Sequence, residues 1–136
     1  MIEVENLYKQ FNGQPVLKGI STTFEKGKTS MIIGQSGSGK TVFLKCLLGL
    51  HMPDGGVISF DGRKHTELGI EDHRQLRQEI GMVFQGGALY DSLTVEENIM
   101  FPLKMFTDKP FNEMLDRVNF VLNRVNLNKA NKKSRE

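Results

Sequence analysis

The stretch "GQSGSGKT", Gly34 to Thr41, packs three glycines, two serines, a lysine and a threonine into one short run. Those types at that spacing suit one task, the binding of a phosphate chain. Glycines let successive backbone N–H groups turn inward around an anion with no Cβ in the way. A lysine adds a point charge for the outer phosphates, and a threonine hydroxyl supplies an oxygen for Mg²⁺. Gly, four residues, then Gly-Lys-Thr is the spacing that combines these functions.

Such a cradle works only if a strand delivers it and a helix follows it, because the helix aims its unpaired N–H groups and positive dipole end at the same anion. Both flanks carry that pattern. "TSMII", ending at Ile33, is a short apolar run that predicts a strand buried on both faces. From Lys40 the apolar positions Val42, Phe43, Leu44, Cys46, Leu47 and Leu48 predict a helix ending at Gly49. The motif is therefore read as a P-loop.

Around it the chain changes character from strand-rich to helical. "MIEVENLYKQF" predicts a strand, Asn12-Gly13 a turn, and "PVLKGISTTFEKGK" a second strand closed by its Lys26-Gly27-Lys28 turn. "VISFDG" predicts a third strand with an Asp-Gly turn, "EDHRQLRQ" a short polar helix, and "IGMVF" another apolar strand ending at Gln85. Thr94 and Glu97 have the spacing of a capping box, with Pro102 expected to end the helix they open. After Pro110, the stripe Phe111, Met114, Leu115, Val118, Val121, Leu122 and Val125 predicts an amphipathic helix. The tail "NKANKKSRE" is polar and basic and is expected to fray.

Composition sets the outer limits. At 136 residues with 38% hydrophobic and 25% charged residues, the chain has the make-up of one globular domain. A net charge of +2 gives no ground for a nucleic-acid partner. Its single cysteine, Cys46, excludes an internal disulfide and is expected to be core-facing and inert. No apolar run nears the ~20 residues of a membrane span, so no direct membrane insertion is expected. A cytoplasmic location is the expectation. His51, His65 and His73 are read as loop or polar-context residues without metal-ligand spacing, and Asp61 as a hairpin-turn residue. The Lys129 to Arg135 cluster is read as a solvated terminus.

From "IEVENLYKQF" through "GQSGSGKT" to "IGMVFQ", the sequence resembles the N-terminal half of the ATP-binding cassette (ABC) transporter ATPases. "FQGGALYDSLTVEENIMFPL" is further similar to the ATPase subunits of bacterial phospholipid-trafficking systems of the Mla type. The resemblance implies an α/β fold: a P-loop NTPase core with an antiparallel β subdomain and the start of a helical subdomain. It treats residues 1–136 as a partial ABC ATPase domain, with 1–85 forming the β subdomain and P-loop core. Residues 86–136 would then follow the Q-loop into part of the helical subdomain.

It also implies roles. ATP and Mg²⁺ are the expected cofactors, held by Gly34, Gln35, Ser36, Gly37, Ser38, Gly39, Lys40, Thr41 and Val42. Phe11 matches the aromatic that stacks on adenine, Thr41 and Gln85 match the magnesium contacts, and Lys40 and Gln85 are the catalytic residues of this half. Val42 departs from the family's second hydroxyl residue and keeps only its backbone N–H. The expected partners are a membrane-spanning permease subunit and a second ATPase subunit. The setting would be the cytoplasmic face of a bacterial inner membrane, with phospholipid as cargo. The family's signature motif, Asp-Glu pair and switch histidine do not occur in these residues. The resemblance therefore leaves open an alternative, a nucleotide- or partner-binding fragment without turnover.

Overall fold

The computed structural model describes residues 1–134, and the chain divides into two compact units, Met1–Met82 and Val83–Glu136. In the first unit, β1 (Ile2–Phe11), β2 (Gln14–Phe24), β3 (Gly55–Phe60) and β4 (Arg63–Lys64) form one sheet in the order β2-β1-β3-β4. Every pairing in it is antiparallel. Two helices belong to the same unit, α1 (Lys40–Leu47) and α2 (Ile70–Glu79).

Strict alternation along β1 would put Val4 and Asn6 on one face and send Leu7 to the other. Instead Val4 and Leu7 are both buried. A bulge at Asn6 makes this possible. Glu5 pairs with Val57 and Tyr8 with Gly55, so Asn6 and Leu7 together oppose Gly56 alone. Asn6 takes φ 46°, and its N–H donates to the Ser21 hydroxyl at 2.9 Å. Gly56 sits opposite at φ 88°, where a Cβ would lie 2.3 Å from the Asn6 carbonyl oxygen. The flip is what turns Leu7 into the core with Val4, Leu17, Ile58 and Phe60, facing Phe43, Cys46 and Leu47 of α1 and Leu76 of α2. Each large apolar side chain buried there contributes about 1.5–3 kcal/mol. Cys46 is fully buried, and burial pushes its thiol pKa up, in keeping with an inert core residue.

Two expected strands are not formed. Residues 29–33 pair with no strand among the described residues, and Met31 and Ile33 are 84% and 82% exposed. The same holds for "IGMVF", where Val83 is 95% exposed. An apolar run becomes a buried strand only where neighbouring strands satisfy its N–H and C=O groups, and none does so here. Ile32 and Ile80 still pack against the core.

His65 corrects a second expectation. It begins a 3-10 turn, His65–Glu67, and is 1% exposed rather than in a polar context. Its ring lies 4.4 Å from that of His73 and 5.8 Å from that of Phe60, and it presses on Gly49 so closely that a Cβ there would meet it at 2.6 Å. Nδ1 is buried without a partner. Burial first, then the neighbouring His73, holds the His65 pKa below its ordinary 6.5. The folded state therefore binds fewer protons here than the unfolded state, so this contribution to stability is intact above about pH 6.5 and lost as pH falls below it. Thermal unfolding of the parent and His65→Leu between about pH 5 and 8 checks this. The parent midpoint is expected to fall more steeply on acidification, and parallel profiles would refute it.

The second unit is a helical pair, α3 (Val95–Phe106) and α4 (Phe111–Arg124). Met114, Val118 and Leu122, four residues apart on α4, close over Met100 of α3, with Ile99, Leu103 and Leu115 at the margin. The expected capping box is present: the Glu97 N–H donates to Thr94 Oγ1, and the Thr94 N–H donates to the Glu97 carboxylate. That second bond holds the Glu97 pKa below the usual carboxylate range.

Pro102 does not end α3; it lies inside the helix, which runs on to Phe106. Proline forfeits one ladder bond, to the carbonyl four residues back, and packing of Met100 and Leu103 against α4 offsets that loss. Nor does the tail fray up to Ser134. Ala130 is buried, the Val95 N–H donates to the Lys133 carbonyl at 2.8 Å, and the Glu96 N–H donates to that of Asn131 at 3.0 Å. Glu96 is buried, and its carboxylate takes further bonds from Asn131 and Lys132. The segment thus satisfies first-turn N–H groups that a helix cannot satisfy itself. Lys129, Lys132 and Lys133 are exposed, as a solvated cluster requires, while Arg135 lies outside the described residues.

Candidate functional site

The loop Gly34–Gly39 runs directly into α1, as the spacing required. Gly37 and Gly39 adopt φ 77° and 95°, the left-handed region that glycine enters without strain. Gly39 is the helix N-cap and brings no capping side chain, so the first-turn N–H groups of Lys40, Thr41 and Val42 lack a side-chain acceptor at the cap. Crowding adds to the backbone requirement at Gly39 and bears on Gly34 as well, whereas Gly37 has open space around it. A Cβ on Gly34 would lie 2.8 Å from Ser38 Oγ, and one on Gly39 would lie 3.0 Å from Val16 Cγ1 of β2. The Ser38 N–H closes the turn on the Gln35 carbonyl at 3.2 Å.

Lys40 folds back over the loop, its ammonium donating to the carbonyls of Gly34 at 2.7 Å and Gln35 at 2.6 Å. The Lys40 ammonium thus stands over the loop at the helix N-terminus, and Thr41, in the first turn, is exposed. Beside them lies an open groove of about 390 Å³, lined by Ile20, Phe24, Met31, Ile33, Lys40 and Phe43. The donor set fits a polyphosphate: N–H groups and an ammonium for the anion, a hydroxyl for its cation. Among the described residues no group of three or more His, Cys, Asp and Glu is placed to hold a metal ion.

Phe11 ends β1 at the hairpin, paired with Gln14. It is 38% exposed rather than packed into the core. The same hairpin carries Val16 and Leu17, which abut Gly39, so the aromatic and the cradle are built on one ribbon. Its neighbours were given no role at the ring by the sequence: Lys9, with its ammonium 5.2 Å from the ring centroid; His51, whose ring lies 5.3 Å away at 71°; and, behind Lys9, Asp54, which pairs with it at 3.3 Å. Pairs some 45 positions apart leave no local trace in a sequence. Gln85 is exposed in the second unit, followed by a turn in which the Gly87 N–H donates to the Phe84 carbonyl at 2.9 Å. Asp61 is a turn residue at φ 46°, its carboxylate bound to the Met1 amino group.

Residues 17–136 match the family model described as ABC transporter. The chain belongs to the ABC transporter ATP-binding family. Its ABC ATPase domain has the α/β P-loop NTPase fold with an antiparallel sheet. It is 39% identical over 127 residues to the methionine import ATP-binding protein MetN of Mesorhizobium japonicum, covering 93% of this chain and 34% of MetN. It is 38% identical over 117 residues to the probable ribonucleotide transport ATP-binding protein mkl of Mycobacterium tuberculosis, covering 86% of this chain and 33% of mkl. The chain therefore spans about a third of the length of these curated relatives. Among solved structures, the dimeric structure of MJ0796, a bacterial ABC transporter cassette, superimposes with a TM-score of 0.86 at 29% identity. That match covers 98% of this chain and 61% of the cassette. A post-hydrolysis state of MJ0796, bound to ADP and Pi, superimposes with a TM-score of 0.85. No helix of the ABC ATPase domain, among the described residues, is long and apolar enough to cross a membrane.

Proposed function

We propose that this protein is the ATP-binding portion of an ABC transporter ATPase subunit, coupling ATP binding and hydrolysis to transport. The observation that carries the reading is the glycine loop closed by Lys40 at the uncapped start of α1. Gly34 to Val42 would hold the triphosphate, with Lys40 against the outer phosphates and Thr41 toward Mg²⁺. Phe11 would take the adenine, for which an exposed aromatic face is suited. When bound, Mg²⁺ neutralises charge on the outer phosphoryl oxygens. Gln85 would orient water at that end and report on the membrane partner.

The partners in this proposal are a second ATPase subunit and a membrane-spanning permease at the cytoplasmic face of a bacterial inner membrane, with no nucleic acid. Tyr90 and Phe101, ring centroids 4.9 Å apart and both exposed, support a docking surface in the second unit. Phospholipid is the narrower form of the proposal, and only the segment from Phe84 to Leu103 supports it. Relatives named for methionine import and ribonucleotide transport weigh against reading a lipid from that segment.

Titration of the 136-residue chain with Mg-ATP, run beside a phosphate-release assay, tests the reading. Binding is expected without steady turnover. No carboxylate here is assigned to polarise the attacking water, and such positioning and charge stabilisation are each worth several kcal/mol of the barrier. Failure to bind ATP would overturn the proposal. Turnover abolished by Lys40→Ala would overturn the division between binding and hydrolysis, and with it the alternative of a fragment that binds without catalysis.

A further inference from the structure

Phe11 is the last residue of β1 before the Asn12-Gly13 turn, and more than a third of it is exposed. Such a ring has little to fix its rotamer, and a mobile platform binds a flat base poorly because ordering it costs entropy. Here it is fixed from two sides. The Lys9 ammonium stands 5.2 Å from the ring centroid, and the His51 imidazole meets the ring at 71° and 5.3 Å.

Both neighbours are themselves anchored. Lys9 is held by Asp54 at 3.3 Å, with only 14% of its side chain exposed. Asp54 is stitched to β1 twice more: its carboxylate accepts the Gln10 N–H at 2.8 Å, and its own N–H donates to the Tyr8 carbonyl at 2.8 Å. The Gln10 bond is also the first cause of the lowered Asp54 pKa, which keeps the carboxylate charged for Lys9. His51 is tied to α1, its N–H donating to the Lys45 carbonyl at 3.2 Å. The segment His51–Asp54 therefore bridges the C-terminal end of the phosphate-binding helix and the ring at the end of β1.

We infer that His51 and the Lys9–Asp54 pair are positioning residues for the nucleotide base, setting the Phe11 ring so that the base finds it already ordered. The inference rests on the proposal that Phe11 receives the adenine. It implies a division of labour on one ligand. Changes in the cradle weaken binding of any polyphosphate, whereas changes behind Phe11 weaken only ligands that carry a base.

The experiment compares Mg-ATP with Mg-tripolyphosphate, which has the phosphate chain and no base, by calorimetric titration of the full chain. Phe11→Ala is expected to lower ATP affinity and leave tripolyphosphate affinity unchanged. His51→Ala and Lys9→Met are each expected to lower ATP affinity about three- to tenfold, the scale of ordering one side chain, again without effect on tripolyphosphate. His51→Phe, which keeps an aromatic ring against Phe11, is expected to restore most of the loss. If Phe11→Ala leaves the ATP-to-tripolyphosphate ratio unchanged, the base platform itself is wrong. If Phe11→Ala shifts that ratio while His51→Ala and Lys9→Met do not, the platform stands and the positioning role is refuted. Equal losses for both ligands in those two variants would also refute it, as general damage to the fold. Should His51→Ala fail to fold, Lys9→Met carries the same test, since it retains the side-chain stem and removes only the charge.

Discussion

Replacing Lys40 by alanine is expected to remove most Mg-ATP binding. The ammonium is held over the loop by two carbonyls, those of Gly34 and Gln35, and so stands ready on the rim of the cradle. Truncating one partner of a hydrogen-bonded charge pair costs about 2–5 kcal/mol, upward of about 30-fold in affinity. Two measurements separate loss of binding from loss of fold. Saturating Mg-ATP raises the unfolding midpoint of a protein it binds only in the native state, so the parent shifts and the variant does not. Without nucleotide, the two midpoints are expected to lie close together, because the lost bonds are at an exposed loop. An unchanged ATP affinity in Lys40→Ala would remove the phosphate assignment altogether.

The largest expected loss of stability comes from one added methyl group, Gly56→Ala. That Cβ would fall 2.3 Å from the Asn6 carbonyl oxygen and 2.4 Å from that of Glu5, both backbone atoms that no rotamer change can move aside. Gly56 also sits at φ 88°, where a side chain is strained even in open space. Backbone strain of about 1–3 kcal/mol adds to overpacking of similar size. Relief requires the Asn6 bulge to slip, and a one-residue slip sends Leu7 out of the core. Gly13→Ala is the control: φ is 77° but nothing lies within 4 Å, so it carries the strain without the collision. Denaturant unfolding is expected to place Gly56→Ala well below Gly13→Ala, and equal midpoints would mean that the bulge does not hold the register.

These contrasts show which features were legible in the sequence. The glycine loop running into α1 was, because it is built from consecutive residues and its geometry is local. The same is true of the Thr94–Glu97 box and of the stripe from Met114 to Leu122, where chain periodicity alone decides what faces what. "TSMII" and "IGMVF" were misread because an apolar run is a strand only by virtue of what lies beside it. Val4 and Leu7, three apart, break the alternation that defines a strand, and only the glycine opposite Asn6 explains why both are inside. His65 is polar by type and buried by circumstance: Gly49 leaves room for its ring and Phe60 covers it. Pro102 was read by its usual effect, which packing against α4 overrides. The backing of Phe11 joins residues that meet only after the sheet has formed.

The bonding of Asn131 and Lys133 to the first turn of α3 also fixes an order of events during synthesis. Glu96 and Asn131 are 35 positions apart, so at about 5–20 residues per second the start of α3 emerges roughly 2–7 s before the segment that ties it down. In that interval its free N–H groups have only the Thr94 side chain. Closing a loop of this length costs little more than closing one half as long, about 0.6 kcal/mol per doubling. The α3–α4 hairpin can therefore pair first through Met100, Met114 and Val118, and the clasp then closes on a helix already packed. Growth of the chain itself would make the joint at the head of α3 the last part of the second unit to set.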